Sequence, residues 1–68
     1  MTLDDFRVAC GWSKNEMARE SRMDITTLNR ALSGTEVTEN TAQKIAYAIS
    51  QKLGRTIRFQ DIDGLNVK

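Results

Sequence analysis

The chain has 68 residues, of which 40% are hydrophobic, 28% are charged and none is Pro; one small domain fits in that length, and a deep pocket beside a packed core does not. With no His and a single Cys, the sequence lacks the means for imidazole catalysis, a His-ligated metal, a multi-cysteine zinc site or an internal disulfide framework. Ten Lys and Arg against nine Asp and Glu give a net charge of +1, so bulk charge alone points to no partner and any electrostatic argument must come from where the charges lie.

Helix signals divide the chain in order. Thr2 with Asp5 three residues later forms a capping-box pattern that opens a first helix. Leu3, Phe6 and Cys10 share one helical face, and Gly11 stands in the place of a C-terminal cap. Ser13-Lys14-Asn15-Glu16 is a second capping box, and its helix carries Met17, Ala18 and Ser21 inward. A turn spans Ser21 to Asp24, and Asp24 caps a third helix whose apolar side is Leu28, Ala31 and Leu32. Gly34 closes that helix. Thr38 caps a fourth, with Glu39 in its first turn, where a negative charge suits the helix dipole. Ala42, Ile45, Ala46, Ile49 and Leu53 then give the strongest periodicity in the chain, ended by Gly54.

The tail supports two readings. Thr56-Ile57-Arg58-Phe59-Gln60 alternates apolar and polar residues as a half-buried strand does. Ile57, Phe59, Ile62, Leu65 and Val67 equally suit an irregular flap packed on the bundle, with one helical turn near Gln60 to Asp63. No apolar run approaches the ~18 residues of a membrane span. The opening Met1-Thr2-Leu3-Asp4-Asp5 is acidic, unlike an apolar signal sequence, and the lone Cys10 suits a reducing compartment. A cytoplasmic location is the expectation. The fold class expected is all-α: a compact bundle of four to five short helices over residues 1–54, containing a helix-turn-helix, with a short extended tail over 55–68 that packs on the domain or mediates dimerisation.

Two short helices and a tight turn, Ser13 to Ser33, form a helix-turn-helix candidate. The order Ser13, Glu16, Met17, Ala18, Met23, Leu28, Arg30, Gly34 resembles the lambda-repressor-like (XRE/Cro) family of DNA-binding domains. Phe6-Arg7 and Gly11-Trp12 before it, and Thr41-Ala42, Ile45-Ala46 and Ile49 after it, fit the same pattern, so the resemblance covers roughly residues 2 to 54. It implies that the second helix of the pair lies in the major groove of duplex DNA. The outward face of that helix is Thr26, Asn29, Arg30 and Ser33. Arg30 is the candidate for a bidentate contact to guanine, worth ~1–3 kcal/mol of discrimination, with a solvated charge or an internal ion pair as the plain alternative. Thr26 and Asn29 are candidates for base edges or phosphates. Thr27 is a weaker one, because its hydroxyl competes for the helix backbone. Ile25 is either a thymine-methyl contact or part of a core stripe with Leu28 and Leu32. Ser13 and Lys14 open the first helix of the pair as phosphate candidates.

The chain departs from the family pattern at several places. Arg22 replaces the turn glycine, at a cost of ~1–2 kcal/mol if it stays left-handed. Leu32 replaces a frequent acidic residue, leaving Arg7 to solvent, Asp4 or DNA. Thr35-Glu36-Val37-Thr38-Glu39 is acidic where relatives often carry basic phosphate anchors, which implies weaker non-specific binding and a shallow salt dependence. Trp12 reads as a core plug and Cys10 as a small buried apolar residue. Lys44, Lys52, Arg55 and Arg58 form a basic run with no acidic residue from Asn40 to Gln60, which reads first as a solvated face. Asp61 and Asp63 alone make a poor cation site, so no metal is expected and no cofactor.

The resulting expectation is sequence-specific binding of double-stranded DNA by a small transcriptional regulator. It is expected to be a repressor acting as a homodimer on a palindromic operator. Ile57, Phe59, Ile62 and Leu65 are the candidate dimerisation residues, since small relatives of the family dimerise through a C-terminal strand. The alternative is an antitoxin or other protein-binding helix-turn-helix module that docks a partner, such as a toxin, through its apolar tail. No nucleophile–base pair or phosphate-cradling glycine loop supports an enzyme.

Overall fold

Four side-chain caps set the starts of four α-helices in the computed structural model, which describes residues 1–68. Thr2, Ser13, Asp24 and Thr38 all take extended backbone. Their side-chain oxygens accept the N–H of Asp5 at 3.1 Å, Glu16 at 3.1 Å, Thr27 at 2.8 Å and Thr41 at 3.2 Å. Each satisfies a donor that the first helical turn leaves unpaired. The helices they open are α1 (Leu3–Cys10), α2 (Lys14–Glu20), α3 (Ile25–Leu32) and α4 (Glu39–Leu53). Asp5 and Glu16 reach back to the N–H of Thr2 (2.9 Å) and Ser13 (3.2 Å), completing both capping boxes. No strand forms, and a single 3-10 turn spans Phe59–Asp61.

One backbone stop ends α1, α2 and α3. At α2 the N–H of Met23 donates to Ala18 O (3.0 Å) and that of Arg22 to Arg19 O (3.1 Å), a Schellman pair that requires a left-handed residue between them. Arg22 supplies it with φ 58°, the one positive φ outside glycine. The pattern repeats at Gly11 and Gly34, where glycine adopts the conformation without a Cβ clash.

The core is one cluster. Leu3, Phe6 and Cys10 come from α1, Met17 and Ala18 from α2, Leu28 and Ala31 from α3, and Ala42, Ile45, Ala48 and Ile49 from α4. Met17, Leu28, Ile45 and Ile49 retain no exposed surface. Ala18 and Ala31 are small residues on the faces where α2 and α3 meet the bundle. Trp12, buried, closes the space after α1. Burial raises the Cys10 thiol above its ordinary pKa, with Lys52 opposing weakly, so the thiol stays protonated. Arg7 is held within the chain: its Nε donates to Asp4 Oδ1 and its Nη1 to Trp12 O, both at 2.8 Å. The Ser21 hydroxyl is buried at the end of α2 and has no hydrogen-bond partner.

The tail forms the flap rather than the strand. Ile57 N–H donates to Ser50 Oγ at 2.8 Å, and Ser50 Oγ lies 2.7 Å from Ala46 O and 3.1 Å from Ile57 O. These bonds turn the segment onto α4 instead of leaving it to a strand partner. Arg58 N–H then donates to Asp61 Oδ2, which starts the short 3-10 turn. Further on, Asp63 N–H donates to Met1 O (2.9 Å), Val37 N–H to Asn66 O (2.8 Å) and Lys68 N–H to Val37 O (2.8 Å). The tail thus crosses the start of α1 and the α3–α4 connection. Ile57 and Ile62 are 6% and 4% exposed. Of the four dimerisation candidates, these two are therefore covered mostly by their own bundle. Phe59 and Leu65 are half-buried. No helix is long and apolar enough to cross a membrane.

Candidate nucleic-acid interface

Packing decides which side of α3 faces outward. Leu28 and Ala31 are buried against the bundle, so Thr26, Asn29, Arg30 and Ser33 are left exposed on the opposite side. The Arg30 side chain makes no hydrogen bond or ion pair within the chain; the three ion pairs are Met1–Asp63, Asp4–Arg7 and Arg58–Asp61. Its five N–H donors therefore remain free for an acceptor outside the chain. Asn29 and Thr26 are equally without side-chain partners.

The other α3 candidates are more constrained. Ile25 and Thr27 are half-buried, and Ile25 packs against the core cluster. Thr27 N–H is taken by the Asp24 cap. The Ser33 hydroxyl donates to Arg30 O at 3.0 Å and lies 3.1 Å from Thr35 Oγ1, a bond in which either oxygen can be donor. Its proton is thus already engaged near the helix end.

At the start of α2, Ser13 Oγ accepts from Glu16 N–H. Lys14 beside it is exposed and unpaired. Thr38 and Thr41, which read in the sequence only as a cap and a helix residue, join the α3 face in space. With Thr27, Arg30, Glu36 and Val37 they line a notch of about 160 Å³. Thr38 Oγ1 donates to Thr41 Oγ1 at 3.1 Å. No local pattern signals this neighbourhood, because it depends on how the α3–α4 connection folds back.

The electrostatics of this face are mixed. Hydrogen bonds from the Thr27 side chain and then its backbone N–H hold the Asp24 carboxyl below its ordinary pKa, with the Arg30 charge adding to the effect. The Ser13 backbone N–H, followed by its hydroxyl, does the same for Glu16. Asp24 and Glu36 therefore place negative charge near the free cation Arg30. Such a surface gains its selectivity from a few directed contacts rather than from a broad positive field. No group of three or more metal-ligating side chains converges anywhere in the chain.

A family model described as helix-turn-helix matches residues 3–59. No curated protein and no solved structure matches the chain.

Proposed function

Because the chain belongs to the lambda-repressor-like (XRE) helix-turn-helix family, a DNA-binding family of transcription regulators and not of enzymes, we propose that it represses transcription as a homodimer bound to a palindromic operator. In this reading α3 enters the major groove, and Arg30 pairs with the edge of a guanine through two hydrogen bonds. Asn29 and Thr26 contact base edges or phosphates beside it. Ser13 and Lys14 fix the register on the phosphates, and Ile25 meets a thymine methyl with its exposed part. Thr27 and Ser33 play a lesser role, since their polar groups serve the helix. The observation that carries this reading is Arg30, exposed on the outward face of α3, whose guanidinium has no ion-pair partner in its own chain.

A symmetric dimer spaces two such helices one turn of DNA apart, ~34 Å centre to centre. Leu65, half-buried in the tail segment that pairs with the α3–α4 connection, is where the dimer contact belongs in this reading, with promoter occlusion as the mechanism and a cytoplasmic location to match. Selection of bound duplexes from a random pool at low salt tests it, with Arg30→Ala as control. A palindromic motif is expected from the native protein. The variant should lose ~1–3 kcal/mol of specific binding and relax one base position while keeping its fold. A pool that shows no enrichment with demonstrably folded protein would overturn the reading.

A further inference from the structure

The largest concave surface lies away from α2 and α3. It is a groove of about 490 Å³ between α4 and residues 56–60. Ala46, Ile57 and Phe59 give it an apolar floor, and Tyr47 and Arg58 stand at its walls. A second depression of about 250 Å³ adjoins it through the shared residues Ser50, Gln51 and Thr56, and brings in Arg55. Neither depression is lined by a carboxylate, and neither by any residue of α2 or α3.

Charge and exposure single this groove out. Tyr47 is 67% exposed, the most exposed of the large hydrophobic residues, and its hydroxyl has no partner in the chain. Arg55 is exposed and unpaired. Arg58 bonds Asp61 through one nitrogen at 3.4 Å, which leaves most of its guanidinium donors free. Residues 40–60 contain four cations and no Asp or Glu. Lys52 belongs to the opposite side of α4, where its charge acts on Glu16 and Cys10.

We propose that this groove docks a short acidic segment of a partner protein, with one aromatic or aliphatic side chain seated on the Ala46–Ile57–Phe59 floor beside Tyr47 and its carboxylates on Arg55 and Arg58. The volume suits one or two side chains, and arginine forks match carboxylates. A phosphate backbone meets the arginines but offers nothing apolar to the floor. A second copy of this chain fits poorly, because the apolar residues beside its acidic ones, Phe6, Met17, Val37 and Ile62, are buried. Asp4 also pairs with Arg7, and Asp5 serves the Thr2 cap. Since no residue is shared with α3, the partner and DNA can be held at the same time.

The test uses the full chain and a fluorescein-labelled peptide of glutamates flanking one central phenylalanine, followed by anisotropy at low salt. Saturable binding is expected, and replacing the central phenylalanine by glutamine should abolish it. Tyr47→Ala and Arg55→Glu, both at exposed positions without internal bonds, should each weaken binding ~tenfold with unchanged melting temperatures. Arg30→Ala should leave it untouched. Absence of saturation up to ~1 mM peptide, or equal affinity in both variants, would overturn the proposal. So would loss of duplex binding in Arg55→Glu, which would assign the groove to nucleic acid. Loss of self-association in Tyr47→Ala, seen by sedimentation, would assign it to a second copy.

Discussion

The Ser50 hydroxyl accepts the N–H of Ile57 at 2.8 Å, seven residues along the chain and across the end of α4. The same oxygen lies within bonding distance of Ala46 O and Ile57 O. One side chain therefore fixes the point where the tail leaves the last helix and turns onto the bundle. Ser50→Ala would strand a part-buried N–H and loosen the flap, at a cost of about 1–3 kcal/mol. Chemical denaturation measures the loss. Hydrogen exchange should place it at Ile57 and Ile62, with the α2 and α3 amides much less affected. Uniform acceleration across all helices would mean that the tail is no separate element.

Arg22 holds a left-handed backbone at φ 58° in the turn between α2 and α3. Its side chain is exposed and makes no internal bond, so nothing in the chain offsets the strain. Arg22→Gly is expected to stabilise the fold by about 1 kcal/mol, the relief of Cβ strain less the extra chain entropy of glycine. Thermal melting tests this. A lower melting temperature would show that Arg22 contributes a contact that compensates for its backbone.

Glu36 lines the same notch as Arg30, close to the outward face of α3. A carboxylate there repels phosphates brought to that face. Glu36→Lys should strengthen binding to DNA of any sequence and steepen the salt dependence by about 0.9 per added phosphate contact. Titrations at several salt concentrations read both effects. An unchanged slope would place Glu36 away from the nucleic acid.

Asp5, Glu16, Asp24 and Asp61 all have folded pKa values held below the ordinary carboxylate range. Hydrogen bonds from Thr2, Ser13, Thr27 and Arg58 are the main causes. The unfolded chain therefore binds more protons in that range, and stability rises with pH there. The contribution is complete above the ordinary carboxylate values, near pH 4, and is lost as pH falls through the lower folded values. Glu16→Gln keeps a side chain able to close the capping box but removes one titrating group. Its urea midpoint should change less between pH 5 and pH 2.5 than that of the native protein. Parallel curves would show that Glu16 adds nothing to the acid sensitivity.

The helices were legible because their signals are local. Thr2, Ser13, Asp24 and Thr38 each act on an N–H three residues away. Leu3, Phe6 and Cys10 needed only the helical repeat to be placed on one buried face. Ser21, the residue that caps the end of α2, turns inward as its spacing from Met17 and Ala18 suggested, although its hydroxyl finds no partner. Arg7 had three candidate partners in the sequence. The structure chooses Asp4 and adds Trp12 O, because the stop at Gly11 carries that carbonyl back towards Arg7.

On the candidate interface, sequence spacing places Thr26, Asn29, Arg30 and Ser33 on one side of α3, since that depends only on 3.6 residues per turn. It could not report that the Ser33 hydroxyl is engaged with Arg30 O, or that Glu36, Thr38 and Thr41 gather round Arg30. The sequence by itself determined the helix order, the caps and the outward stripe of α3, each governed by interactions within a turn or two. Only the tertiary structure decided the course of the tail. The apolar character of Ile57 and Ile62 is plain in the sequence, but the path that brings them onto the bundle rests on Ser50, seven residues before Ile57, and on Met1 and Val37, whose backbone partners lie far along the chain.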